Sequence, residues 1–112
     1  MSDLDSVVRY SDLLSIYHSL LSPTQKDVLE DYYLFNLSIS EIAENRKISR
    51  SAVEDAIKKG KQKLDQYEKE LCSLAALKKI QAIKTMTDDK KITSEIDEVE
   101  RIIKHGIWII NW

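Results

Sequence analysis

The chain has 112 residues, of which 43% are hydrophobic and 32% charged, with a formal net charge of −2; that is enough for one domain with a real core and too short for two independent ones. Two glycines, one proline and one cysteine exclude a disulfide framework and a thiolate metal cluster. Because β-branched residues nowhere alternate with polar ones for long, the expected fold class is all-α, a helical bundle. No apolar run reaches the roughly 18 to 20 residues that span a bilayer, and the acidic start MSDLDSVV lacks the basic region of a secretory signal, so the expected location is cytoplasmic, with no membrane partner.

Leu4, Val7, Val8, Leu13, Leu14, Ile16, Tyr17, Leu20 and Leu21 recur in steps of three and four and predict a first amphipathic helix. His18 lies within it without a second ligand at metal spacing and reads as a surface or half-buried histidine. Ser22-Pro23-Thr24-Gln25 is the clearest boundary. Serine caps, proline takes the first helical position where its missing amide costs nothing, and glutamine closes a capping box. The next helix, predicted over 23–35, presents Val28, Leu29, Tyr32, Tyr33 and Phe35 on one side, with Lys26, Asp27, Glu30 and Asp31 opposite as a solvated face. Asn36 is suited to the left-handed position that closes it.

The stretch LSISEIAENRKISRSAVEDAIKKGKQKL, residues 37–64, reads as a helix-turn-helix. Ser38 and Glu41 have capping-box spacing. Ile39, Ile42, Ala43 and Ile48, then Val53, Ala56 and Ile57, fall where two crossing helices touch, the small Ala43 permitting the approach. The turn holds Asn45, Arg46 and Lys47 where a glycine is usual, and a left-handed Lys47 costs roughly 1 kcal/mol. Ser49 caps the second helix, which is expected to begin at about Arg50.

Charge is unevenly placed. Residues 1–45 carry two basic side chains against eight carboxylates, a net of −6, whereas residues 46–63 carry seven basic side chains against Glu54 and Asp55, a net of +5. The basic segment coincides with the turn and the recognition helix, where phosphates would lie. Early residues of such a helix reach base edges in the major groove. The candidate nucleic-acid-binding residues are Arg46, Lys47, Ser49, Arg50, Ser51, Glu54, Lys58, Lys59 and Lys61. Arg50 is placed to read guanine and Glu54 to accept from cytosine, and Lys58, Lys59 and Lys61 to hold phosphates.

The recognition helix is expected to run on past Gly60, because Leu64, Tyr67, Leu71 and Leu74 continue in coiled-coil spacing for two heptads. That stripe predicts a partner contact, most simply a homodimer. Cys72, within it, reads as a small apolar residue on a helix. Residues 87–91 form a polar break, after which Thr93 or Ser94 can cap a last helix carrying Ile96, Val99, Ile102 and Ile103 and ending near Gly106. The tail IWIINW, with Trp108 and Trp112, is apolar enough to require cover, from the long helix or from a partner. The chain is thus one domain over 1–112, with a helix-turn-helix core at about 22–70 and a packing or dimerisation extension at about 71–112.

The segments YHSLLSPTQKDVLEDYYLFNLSISEIAE and ISRSAVEDAIKKGKQKLDQYE resemble the small YlxM-type proteins of Gram-positive bacteria and mycoplasmas, which are similar to region 4 of bacterial sigma factors. Together they cover about half the chain, and the run from LLSPTQ through DYYL is the more specific. The resemblance implies a DNA-binding regulator whose gene lies beside that of the signal recognition particle GTPase, and a role in that protein-targeting pathway. It carries no catalytic residues and no cofactor.

Two functions follow. The first is a helix-turn-helix regulator that binds DNA, with RNA as a second target. The second is an interaction module that keeps the helix-turn-helix as scaffold and binds the particle's GTPase or RNA. An enzyme is not expected: the sequence offers no phosphate-cradling glycine loop, no zinc-spaced His/Cys set and no nucleophile paired with a base, since His18 and His105 sit in separate helices.

Overall fold

The computed structural model describes residues 4–110, and side chains as far as residue 106. Six α-helices follow one another: α1 Leu4–Tyr17, α2 Pro23–Leu29, α3 Ile39–Arg46, α4 Arg50–Leu71, α5 Ser73–Lys84 and α6 Lys90–Ile110. No strand occurs among the described residues. A short 3₁₀ turn, His18–Leu20, extends α1, and a π-helical turn, Glu30–Leu34, extends α2. The shape is elongated, 52 × 31 × 23 Å, with the α5–α6 hairpin packed on α1 and the 3₁₀ turn.

The local signals work where expected. Ser22 accepts from the Gln25 amide and the Gln25 side chain accepts from the Ser22 amide, with Pro23 next in line. The predicted helix over 23–35 changes pitch at Glu30, where the Phe35 amide reaches back to the Glu30 carbonyl across five residues. The wider turn buries Tyr33 and Asp31 while Leu34 and Phe35 face out, so Phe35 is not part of the buried face. Asn36 closes the segment in the left-handed region.

Two apolar clusters hold the chain together. The larger one gathers Leu13, Leu14, Ile16 and Tyr17 of α1 with Leu29, Leu64 and Leu77. The smaller one joins Val28 to Ile42, Ala43, Val53 and Ala56, packing α3 and α4 onto α2. At full burial each Leu, Ile or Val contributes about 1.5–3 kcal/mol. Gly60 lies where α4 crosses α2: a Cβ there would sit 2.5 Å from Leu29 Cδ1. Its helix-propensity cost of about 1 kcal/mol is therefore the condition for close contact between the two helices.

Several expectations about the second half of the chain change. Helix α4 stops at Leu71, and Cys72 takes φ 54° and ψ 24° before α5 begins. Cys72 is thus an exposed left-handed joint, not a small residue on a helix. Glu68 builds the joint. Its two carboxylate oxygens accept from the Leu74 and Ala75 amides at 3.0 and 3.1 Å. It also accepts from the Tyr17 hydroxyl at 2.7 Å, and that oxygen in turn accepts from the Ser73 amide at 3.1 Å. Burial, and then the bond to Glu68, raises the Tyr17 pKa above its ordinary value.

The predicted seam is divided by that joint. Leu64 is fully buried in the chain's own core, Tyr67 packs there and donates to the Leu20 carbonyl, and Leu74 lies on the next helix. Leu71 alone of the four is exposed, at 44%. A continuous two-heptad stripe for a partner is therefore not present on α4. The last helix starts at Lys90, earlier than Thr93 or Ser94, because Asp89 accepts from the Lys91 amide through its side chain and from the Thr93 amide through its carbonyl. It also continues past Gly106 to Ile110. Ile103 packs against the main core. Trp108 falls on α6 beyond the described side chains, and Trp112 lies outside the described residues.

Candidate nucleic-acid interface

Helix α3 is set by a complete capping box: the Ser38 hydroxyl accepts from the Glu41 amide at 3.1 Å and the Glu41 carboxylate accepts from the Ser38 amide at 3.0 Å. The bond from the Ser38 amide to the carboxylate, and after it the neighbouring Ser38 hydroxyl, lower the Glu41 pKa. Lys47 then takes φ 57° and ψ 45°, the left-handed turn that glycine usually supplies. Ser49 caps α4 by accepting from the Ala52 amide at 3.0 Å, so α4 begins at Arg50. Fully buried Val53 and nearly buried Ala56 fasten α4 to Ile42 and Ala43. At 100° per residue, that fixes the opposite side of α4 as the outward one.

Arg50, Ser51, Glu54 and Lys58 are all exposed there. Asp55 and Lys59 share the face and pair with each other at 3.3 Å; both are more than half exposed, so the pair holds Lys59 only weakly. Lys47 is exposed in the turn. Lys61 is half-buried, with its ammonium 4.9 Å from the centre of the Tyr10 ring, where ring and cation attract. Arg9 and Tyr10 both donate to Asp65, at 2.9 and 2.8 Å. Burial, and then the bond to Asp65, raises the Tyr10 pKa.

Two adjoining grooves flank this helix. One, of about 370 Å³, is lined by Tyr10, Tyr32, Ile39, Glu54, Lys58 and Lys61 among others. The other, of about 450 Å³, lies between Val7, Tyr32, residues 36–41 and Arg50. The basic residues Arg50, Lys58 and Lys61 thus line the side of α4 that faces Tyr10 and Tyr32.

Arg46 is the member of the predicted set that the fold withdraws. Its Nε and Nη2 donate to the two oxygens of Asp31 at 2.8 and 3.0 Å, and its Nη1 lies 3.5 Å from Asp27. The bond to Asp31 raises the Arg46 pKa further above its ordinary value. This also revises the solvated acidic face: Asp31 is 6% exposed and anchors the turn, while Glu30 accepts from Lys26. The pairing depends on the π-helical turn, in which Asp31 is buried, and no local sequence signal marks it. Tyr10 and Tyr32 likewise lie outside the predicted site, since α1 and the π-helical turn reach it only through tertiary packing.

No group of three His, Cys, Asp or Glu among the described residues could hold a metal ion, and no described helix is long and apolar enough to cross a membrane. The model of the family described as "Putative helix-turn-helix protein, YlxM / p13 like" matches residues 4–104. A UPF0122 protein of Fusobacterium nucleatum is 41% identical over 102 residues, covering 91% of this chain and 96% of that one. UPF0122 protein YlxM of Bacillus subtilis is 40% identical over 100 residues, 88% of each chain. One from Oceanobacillus iheyensis is 35% identical over 101 residues, covering 87% and 96%. No solved structure gave a significant match.

Proposed function

The chain belongs to the UPF0122 family of YlxM/p13-like helix-turn-helix proteins, and from that premise we propose that it is a nucleic-acid-binding regulatory protein that reads DNA with the outward face of α4. The observation that carries this reading is the division of α4 into two faces: Val53 and Ala56 are locked against α3, while Arg50, Ser51, Glu54 and Lys58 face solvent with nothing in the fold to occupy them. Residues at the start of such a helix contact bases, and basic residues farther along position phosphates. Lys47 and Lys59 supply further positive charge beside that face. Its place in the cell, on the resemblance to YlxM-type proteins, is the signal recognition particle pathway.

Glu54 and Asp55 favour a second reading. Two carboxylates on the outward face weaken its attraction to phosphate, which favours contact with a protein or RNA–protein surface, the signal recognition particle among them, with the helix-turn-helix as scaffold.

Binding to the DNA upstream of its own gene and to signal recognition particle RNA, measured across a salt series, tests both. About four phosphate contacts give a log–log slope near −3.6; Lys58→Ala, which removes one of them, reduces it to roughly −2.7, and Arg50→Ala weakens binding by the loss of a base contact. The nucleic acid that shows the steep slope is the target. No binding to either, with the fold intact by circular dichroism, overturns the first reading and leaves the second.

A further inference from the structure

The α5–α6 hairpin carries an apolar face that the chain does not cover. Between the helices lies a groove of about 360 Å³ lined by Ile80, Ile83, Ile92, Ile96, Val99 and, at its rim, Lys91 and Glu95. Around it Ile83, Ile92 and Val99 are 42–46% exposed, Ile102 63% and Met86 77%. On α6 the exposed Ile92, Glu95, Val99 and Ile102 follow one another at steps of three, four and three, a helical stripe like one half of a packing seam. The predicted seam on α4 is consumed internally, whereas this one is open.

We infer that this face is the contact between two copies of the chain, with α5 of one laid against α6 of its partner about a two-fold axis. Charge complementarity is the argument. Helix α5 carries Lys78, Lys79 and Lys84 and no carboxylate, while the middle of α6 carries Glu95, Asp97, Glu98 and Glu100 between the basic pairs Lys90–Lys91 and Arg101–Lys104. Within the chain Lys78 reaches Asp12 and Lys84 reaches Asp97. Lys79 of α5 and Glu95 and Glu98 of α6 are left without a partner among the described residues. A patch that holds both signs on two adjacent helices is complementary to itself, which an isologous two-fold contact requires. A second copy satisfies Lys79 and the two glutamates simultaneously.

Size sets how strong the contact can be. A twelve-residue helix is about 18 Å long and 10 Å wide, so the hairpin face spans roughly 18 × 20 Å, and α6 is longer still. Covering it on both protomers amounts to roughly 700 Å² in projection, which places the contact among weak, concentration-dependent associations rather than permanent ones. Its centre is apolar and its rim charged, the arrangement interfaces favour. The contact leaves the outward face of α4 free, so it stands or falls independently of nucleic-acid binding.

Sedimentation equilibrium of the full chain between about 1 and 100 µM tests it. The expected result is a species of about twice the 13.0 kDa chain mass, converted to monomer by Ile83→Lys with Ile92→Lys while the far-ultraviolet circular dichroism is unchanged. A mixture of ¹⁴N- and ¹⁵N-labelled chains treated with a zero-length carbodiimide should yield mixed-isotope cross-links from Lys79 to Glu95 or Glu98. A wild-type monomer at 100 µM overturns the inference, as does a dimer that persists in the double variant or whose mixed-isotope cross-links exclude Lys79. Should the double variant lose helicity, Lys79→Glu serves in its place: weakened association supports the contact, and unchanged association overturns it.

Discussion

Arg46 and Asp31, fifteen residues apart in sequence, meet through two parallel hydrogen bonds of 2.8 and 3.0 Å, so the helix-turn-helix turn is tied to the π-helical end of α2. The geometry is the bidentate fork that makes arginine–carboxylate pairs directional. It fixes where α3 ends, and so the angle at which α4 leaves the turn.

Arg46→Ala is expected to lower stability by about 1–3 kcal/mol, because Asp31 is left buried without its counter-charge. Among folded molecules it should not change the salt slope of nucleic-acid binding, whereas Lys58→Ala should. Urea unfolding beside a salt titration of the variant separates the two roles. A flattened slope would mean that Arg46 leaves Asp31 to reach a phosphate.

At Gly60 the sign of a substitution depends on its neighbour. Alanine gains roughly 1 kcal/mol of helix propensity but sets a methyl 2.5 Å from Leu29 Cδ1 in a fully buried site, and overpacking of that kind costs about 1–3 kcal/mol. Gly60→Ala should therefore destabilise the wild type by up to about 2 kcal/mol. In a Leu29→Ala background, where the space is open, the same change should stabilise. A double-mutant cycle by chemical denaturation shows whether that reversal occurs.

The α4–α5 joint depends on Tyr17 as much as on Glu68. Removing the hydroxyl with Tyr17→Phe deprives the buried Ser73 amide and the Glu68 carboxylate of a shared partner, an expected loss of about 1–3 kcal/mol. Hydrogen exchange should quicken first at the amides of Ser73, Leu74 and Ala75. Uniform quickening across the whole chain would instead place Tyr17's contribution in global packing.

For the capping box the prediction is a pH dependence. Glu41's pKa is lowered in the folded chain from its ordinary 4.5, so its contribution is complete above pH 4.5 and is lost as the pH falls through the lower folded value. Ser38→Ala should cost about 1 kcal/mol at neutral pH and should remove part of that acid dependence. Thermal unfolding of both proteins between pH 3 and 7 makes the comparison, and parallel curves would count against the box as its source.

The segments legible in sequence are those whose cause is local. Ser22, Pro23 and Gln25 start α2, Ser38 and Glu41 start α3, Ser49 starts α4, and the periodic apolar residues of 39–57 pack as expected, because capping and helical periodicity involve neighbours within one or two turns. Left-handed Asn36 and Lys47 belong with them. Family membership also follows from the order of these segments along the chain.

What only the tertiary structure decided involves residues distant in sequence. The run from Leu64 to Leu74 has an unbroken period, yet Tyr17 and Glu68 hold a left-handed Cys72 that divides it. Leu64 and Tyr67 turn inward because α1 and the 3₁₀ turn cover them. Arg46 reads as one more cation in a basic segment until the π-helical turn swings Asp31 beneath it. Periodicity specifies which face of a helix is apolar. Which partner that face meets is set by the crossing of helices far apart in the chain, and here it left the α5–α6 face open and directed the basic side of α4 outward.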